Sequence, residues 1–165
     1  MRKILLPILI LVMIIQLLVP SYMIWNRYDV LKNGEEVKFK VSLYDPYDAF
    51  RGRYVSIDVD NEWGGLYEYS YGRYGVLKVD EKGFAKIESV SEKVPEGKLY
   101  ITSSDEDYFY FPHDRYYMEE TLAPKAEKAI EKVDNAYITV RIKNGKSVIS
   151  GLYINGIPVE EYVSE

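Results

Sequence analysis

The sequence predicts a single N-terminal transmembrane helix followed by a β-rich, mainly antiparallel extracytoplasmic domain with one short helix. Three observations predict it: an uncharged apolar run from Ile4 to Trp25, strand-like alternation with turn signals through most of the rest, and one soluble segment with helical periodicity. We expect residues 1–25 to form the anchor, residues 26–35 a linker, and residues 36–165 the extracytoplasmic domain.

The apolar run has the length of a membrane span. Its 22 residues extend roughly 33 Å as a helix, and a bilayer core is about 30 Å thick. Arg2 and Lys3 precede it, and Tyr22 and Trp25 lie at its far end, where aromatic residues concentrate at the membrane interface. The positive-inside rule therefore places the N-terminus in the cytoplasm and the domain outside the cell membrane.

A cleaved signal peptide is the main alternative to an anchor. The run is longer than a signal peptide requires, and Ser21 is the one small residue near its end, without an A-x-A pattern. The sequence thus favours an uncleaved anchor. Gln16 is either an amide that the span tolerates or a hydrogen-bonding contact to a second helix.

The charge and composition exclude several classes of function. The residues after the anchor hold all 26 acidic and 19 of the 21 basic residues, a net charge of −7, which argues against nucleic acid and anionic lipid surfaces as ligands. The chain has no cysteine, so it has no disulfide, no thiol catalysis and no lipid-modified cysteine. We expect no metal and no cofactor.

Most of the domain has the pattern of short strands. Residues 37–44 and 54–60 alternate apolar and polar side chains, and residues 76–79 and 84–90 flank a turn at Glu81-Lys82-Gly83. Leu99 to Ile101 is a further short strand, and the strands 137–143 and 147–153 flank Asn144-Gly145, a strong hairpin signal. About eight strands are expected in all.

One soluble helix is expected between Glu119 and Val133. Its acidic residues come first, its lysines recur later, and its apolar residues repeat at helical spacing. Because Pro124 falls inside this range, the alternative is a helix that begins near Ala123, with the proline in its first turn.

Two blocks of the sequence resemble the GDYXXLXY family of membrane-anchored proteins. The first contains Asp45-Pro46-Tyr47-Asp48-Ala49-Phe50-Arg51-Gly52-Arg53-Tyr54, continuing to Val59. Within the name motif Gly52 and Tyr54 match, Ile57 replaces Leu, Arg53 replaces Asp and Val59 replaces Tyr. The second block is Arg115-Tyr116-Tyr117-Met118-Glu119-Glu120, followed by the helix and the closing hairpin. The resemblance implies an architecture and a location, and it implies no established activity.

The polar turn from Asp45 to Tyr54 is the leading candidate site. Asp48 and Arg51 are close enough in sequence to pair, and Gly52 permits a close backbone approach. Asp45, Asp48, Arg51, Gly52, Arg53 and Tyr54 would form a ligand or partner pocket, with Arg115, Tyr116 and Glu120 added by the second block. The alternative, which we favour, is a structural corner in which Asp45 caps the turn.

Other residues carry weaker hypotheses. His113, beside Asp114 and after Ser103 and Ser104, could belong to a Ser-His-Asp hydrolytic site, but neither serine lies in a nucleophile-elbow motif. No serine and lysine are spaced as a catalytic pair either. The acidic loop 103–107 lacks the calcium-binding spacing and is interpreted as a solvated loop. Trp63 and the tyrosines between Tyr67 and Tyr74 form either a binding patch or edge-strand packing, and packing is favoured.

The sequence therefore indicates a non-enzymatic accessory protein, held in the lipid bilayer, that binds a partner. The partner class we expect is another integral membrane protein. The alternative is an anchored hydrolase, or a glycan or peptide binder, that uses His113 or the Tyr67–Tyr74 patch. An enzyme should place His113 in a concave pocket with Asp or Ser partners. An accessory protein should leave it exposed and unpartnered.

Overall fold

A computed structural model describes residues 2–43, 54–59 and 70–164 of the chain. In these ranges the elements, in chain order, are α1 (Arg2–Asn33), β1 (Glu35–Leu43), β2 (Tyr54–Val59), β3 (Tyr74–Val79), β4 (Ala85–Ser91), β5 (Tyr100–Thr102), β6 (Arg115–Tyr117), α2 (Ala123–Ile130), β7 (Ala136–Lys143), β8 (Lys146–Ile154), β9 (Ile157–Pro158) and α3 (Val159–Tyr162). The predicted class is confirmed: a long apolar helix precedes a mostly antiparallel β domain with one short helix.

Helix α1 is longer than the sequence predicted. It continues to Asn33, so the expected linker 26–35 is wrong as a secondary-structure prediction, and Gly34 alone separates α1 from β1. The polar residues after Trp25 remain helical because this part of the helix packs on β7 and β8, with Val30 buried at 3% exposure. The stretch Pro7–Asn33 is long and apolar enough to cross a membrane.

The strands form two antiparallel sheets. The larger sheet has the order β6-β2-β1-β7-β8-β9, and the smaller has the order β4-β3-β5. The predicted hairpins are confirmed. Asn144 and Gly145 adopt φ values of 51° and 75° in the turn between β7 and β8, as a two-residue type I′ loop requires.

Three short elements were absent from the sequence prediction. They are the strands β6 and β9, each too short to show alternation, and the single helical turn α3. The predicted helix 119–133 shortens to Ala123–Ile130 with Pro124 in its first turn, as the second alternative had it.

One hydrophobic core joins these elements. In β7, alternate residues are buried, including Ile138 and Val140 at 0% exposure. The apolar face of α2 covers the same core through Ala126 and Ile130. The smaller sheet joins this core through Ile101 and other buried side chains, so the two sheets form one domain around one core.

Candidate functional site

The leading site predicted from the sequence falls largely outside the described residues. Asp45, Asp48, Arg51, Gly52 and Arg53 lie there, and so do Trp63, Tyr67 and Tyr69. Tyr54 begins β2, and its backbone is paired with Tyr117 of β6. The pocket hypothesis for this turn therefore stays a prediction.

The two sequence blocks that resemble the family lie side by side. Strand β2 holds the end of the first block and pairs in register with β6, which belongs to the second: Val55 lies opposite Tyr116, and Ser56 opposite Arg115. Arg115 Nε lies 3.4 Å from Asp114 Oδ2, and Glu120 is exposed before α2. The second block therefore supports the first through backbone pairing.

Tyr116 has a structural contact rather than a free hydroxyl. Its Oη donates a 2.7 Å hydrogen bond to Glu160 Oε1 of α3, and the residue is half-buried. Burial, and then the bond to Glu160, raise the pKa of Tyr116 above its usual range. Tyr116 therefore stays protonated at neutral pH and joins the edge strand β6 to the C-terminal turn.

Polar contacts on successive turns of α1 hold the end of this helix to the domain. Lys143 Nζ donates to both carboxylate oxygens of Asp29, at 2.7 and 2.9 Å. Lys146 Nζ donates to Asn26 Oδ1 at 3.0 Å, one residue beyond Trp25. The turn between β7 and β8 therefore points along α1 towards its apolar part. We call this end of the domain the helix-exit end.

A cavity of about 770 Å³ opens at the helix-exit end. Its lining combines the end of α1, the start of β3, the turn between β7 and β8, and the segment around His113. The charged residues among its described lining are cationic: Arg27, Arg73 and Lys146. The lining also contains the hydroxyls of Thr102 and Ser147 and the amides of Asn26 and Asn144.

His113 lies in this helix-exit cavity and is mostly buried. Its Nε2 is 2.8 Å from Ser147 Oγ, and its ring packs edge-on against Phe111. Burial first, and then the nearby charge of Arg27, lower the pKa of His113 to about 4, while Asp114 acts in the opposite direction. The imidazole is therefore neutral at pH 7.

This arrangement differs from what an accessory protein was expected to show. His113 is neither exposed nor unpartnered, because it shares a concave site with a serine that the sequence did not single out. Ser147 lies on β8, 34 residues from His113, and no local motif marks it. Within the described ranges His113 has no carboxylate as a hydrogen-bonding partner, so the pair lacks the third, orienting group of a catalytic triad.

Three tyrosines are grouped beside the acidic loop. Tyr71 Oη and Tyr108 Oη are 3.0 Å apart and their rings are 4.8 Å apart; Tyr110 follows in sequence. Tyr71 is 68% exposed and Tyr110 40%. We call Tyr71, Tyr108 and Tyr110 the tyrosine patch. Tyr74, the last residue of the sequence-predicted patch, instead packs edge-on against Tyr100.

The acidic loop uses one carboxylate to hold its own fold. Asp105 Oδ1 accepts hydrogen bonds from the backbone N–H groups of Asp107 and Tyr108, at 2.9 and 3.1 Å. These bonds lower the pKa of Asp105. The geometry is that of a carboxylate-stabilised turn presenting the tyrosine patch.

The family-model comparison agrees with the resemblance found in the sequence blocks. The model described as GDYXXLXY protein matches residues 16–152, which include the second half of the apolar run, β2, β6 and most of β8. No curated protein and no solved structure matches the chain. The matched range covers most of the chain and includes both sequence blocks, and the chain therefore belongs to the GDYXXLXY protein family.

Proposed function

We propose that this chain is a single-pass membrane protein whose extracytoplasmic domain acts as a non-enzymatic accessory module, binding another integral membrane protein. The observation that carries the proposal is the continuity of α1 from its apolar part to the docked end at Asn33. A domain joined to a span by a flexible linker samples many orientations. This domain is fixed to the helix that would anchor it.

The fixed docking determines which surface would face a membrane partner. Asn26 and Lys146 are in contact just beyond the apolar run, so the helix-exit end would lie next to the bilayer surface. The tyrosine patch would lie near this end, because Tyr71 is two residues before Arg73, which lines the same cavity as Asn26. Exposed tyrosines are frequent energetic centres of protein interfaces.

Gln16 offers a second contact within the span. An amide in hydrocarbon gains from a hydrogen bond to a neighbouring helix, worth about 0.6 kcal/mol on average in a membrane protein. Together, Gln16 and the tyrosine patch would give the partner one contact inside the bilayer and one at its surface.

A second candidate function rests on the His113–Ser147 contact. A neutral imidazole 2.8 Å from a serine hydroxyl has the geometry of a general base beside a nucleophile. An anchored hydrolase acting on peptides or glycans would use this pair inside the helix-exit cavity. His113→Ala and Ser147→Ala would each then abolish hydrolysis of its substrate, whereas an accessory protein would show no hydrolysis to lose.

Crosslinking of the full-length protein in its native membrane tests the accessory proposal. We expect one specific membrane protein to be recovered with the wild type, and less of it with Gln16→Leu or with Tyr71→Ser combined with Tyr110→Ser. Arg51→Ala tests the turn predicted from the sequence in the same assay. Ile157→Ser, which removes an exposed apolar side chain from β9, is the matched control.

Two results would contradict the proposal. One is recovery of the wild-type protein with no crosslinked partner. The other is equal recovery of a partner with all of the variants, which would show that neither the span nor the tyrosine patch contributes to binding.

A further inference from the structure

A second cavity, of about 600 Å³, lies where β1, β4 and β7 meet the turn between β3 and β4. The backbone N–H of Lys38 donates a 2.8 Å hydrogen bond to the carbonyl of Gly83, so this turn is tied to β1. Among the described residues, the lining also includes Val59 at the end of β2. We call it the lysine cavity.

One wall of the lysine cavity is apolar and aromatic. Phe84 and Tyr137 pack edge-on with ring centroids 5.6 Å apart, and the ring of Tyr153 stacks on that of Tyr137 at 5.3 Å. Phe39 and Ile87 continue the wall from the core, at 2% and 6% exposure. This wall is fixed by packing before any ligand arrives.

The charged lining of the lysine cavity is mostly positive. Among the residues that the structure describes, the lining contains Lys38, Lys40, Lys82 and Lys86, and Asp80 as the one acid. The Asp80 carboxylate is turned to the backbone, where Oδ1 accepts from the N–H groups of Lys82 and Phe84 at 2.9 and 2.8 Å. The described part of the lining is therefore net cationic, on a chain whose net charge is −5.

Lys38 is positioned by the aromatic wall. Its Nζ lies 5.7 Å from the centroid of the Phe84 ring and 5.6 Å from that of Tyr137, within the range of cation–π attraction. The same ammonium lies 3.4 Å from the carbonyl oxygen of Lys82. One ammonium is thus held at the wall, while Lys40 and Lys82 extend from the exposed rim.

We propose that the lysine cavity binds a small organic anion: a flat or apolar body packed on Phe84, Tyr137 and Ile87, with a carboxylate or phosphate held by the lysines. Its volume falls within the range of about 300–1,000 Å³ typical of small-molecule sites. The aromatic wall with convergent charges suits such a ligand better than a fully hydrophilic ion. The inference is independent of the proposed accessory function, because the cavity is separate from the helix-exit end.

Calorimetric titration of the full-length protein in lipid nanodiscs tests this inference, with 2-naphthoate as the anionic probe and 2-naphthamide as its neutral counterpart. We expect naphthoate to bind at least tenfold more tightly than naphthamide, and its affinity to fall as salt is added. Lys40→Gln combined with Lys82→Gln should weaken naphthoate binding about tenfold without changing the melting temperature.

The matched control removes two exposed lysines from α2, with Lys125→Gln combined with Lys128→Gln, and should leave binding unchanged. Equal binding of the two probes, no binding of naphthoate, or equal effects of the two lysine pairs would overturn the inference. Binding of a hexaglutamate peptide but not of naphthoate, lost in Lys40→Gln/Lys82→Gln, would also overturn it and assign the cavity to an acidic protein segment.

Discussion

His113 is the one histidine of the chain, and its surroundings determine its charge. It is mostly buried, it contacts Ser147, and Arg27 is the cation that disfavours its protonation. A histidine with these neighbours binds a proton more weakly in the folded protein than in the unfolded chain. Protonation therefore opposes folding at this position.

The first prediction concerns the pH dependence of stability. The pKa of His113 falls from 6.5 in the unfolded chain to about 4 in the folded protein. The contribution of neutral His113 to the free energy of unfolding is complete above pH 6.5 and is lost as the pH falls from about 6.5 to about 4. Allowing for partial solvent access, we expect the free energy of unfolding to fall by about 1–2 kcal/mol between pH 7 and pH 5.

Urea unfolding of the full-length protein in detergent at several pH values measures this loss. His113→Gln keeps a hydrogen-bonding group beside Ser147 and cannot titrate, so its stability should stay nearly constant over the same interval. An equal loss in the variant would assign the effect to carboxylates, whose pKa values lie lower.

The sequence predicts a residue's structure well when the interactions that determine it are local, and poorly when its partners are distant in the chain. Asn144 and Gly145 form the predicted turn because both tolerate positive φ, a property of the residues themselves. The partners of His113 and Tyr116, Ser147 and Glu160, lie 34 and 44 residues away. Such contacts depend on the register of β8 and on α3, which no local pattern encodes.

At the scale of elements, α1 combines an apolar stretch long enough to cross a membrane, its first role, with an end that packs on the domain, its second. The side chains of residues 7–25 are exposed, whereas Val30 is buried against the domain. The carbonyl of Gly34, directly after the helix, accepts a 3.1 Å hydrogen bond from Arg141 Nη1. The sequence predicted the first role from hydropathy. It missed the second because the polar residues after Trp25 have the composition of a linker, and only packing on β7 and β8 makes them helical.

The second prediction tests this packing. Val30→Ala removes two buried methyl groups and should lower the free energy of unfolding by about 1–3 kcal/mol. It should also accelerate amide hydrogen exchange in residues 26–34, because the docked end loses its apolar contact. Hydrogen exchange followed by mass spectrometry measures both the local and the global effect.

Leu31→Ala is the control for the same helix, since Leu31 is 41% exposed beside the buried Val30. It should change stability by less than about 0.5 kcal/mol. Equal exchange in the two variants would show that the end of α1 is held by its ion pair and hydrogen bonds alone, without the apolar contact.

At the scale of the whole molecule, the charge is distributed unevenly along the chain. The two basic residues Arg2 and Lys3 precede the apolar run, and all the acidic residues follow it. Since basic residues are retained on the cytoplasmic side, this asymmetry favours one orientation across a bilayer. The accessory proposal depends on that orientation, and the orientation also determines from which side of the membrane an anion would reach the lysine cavity.

The third prediction tests the orientation by cysteine labelling. The chain has no cysteine, so one introduced cysteine reports a single position. Ser104→Cys, at an exposed site in the acidic loop, should react with a membrane-impermeant maleimide added to intact cells. A cysteine inserted after Met1 should react only after the membrane is permeabilised, because the anchor would keep it in the cytoplasm. The reverse pattern would place the domain inside the cell, and release of the Ser104→Cys protein into the medium would identify the apolar run as a cleaved signal.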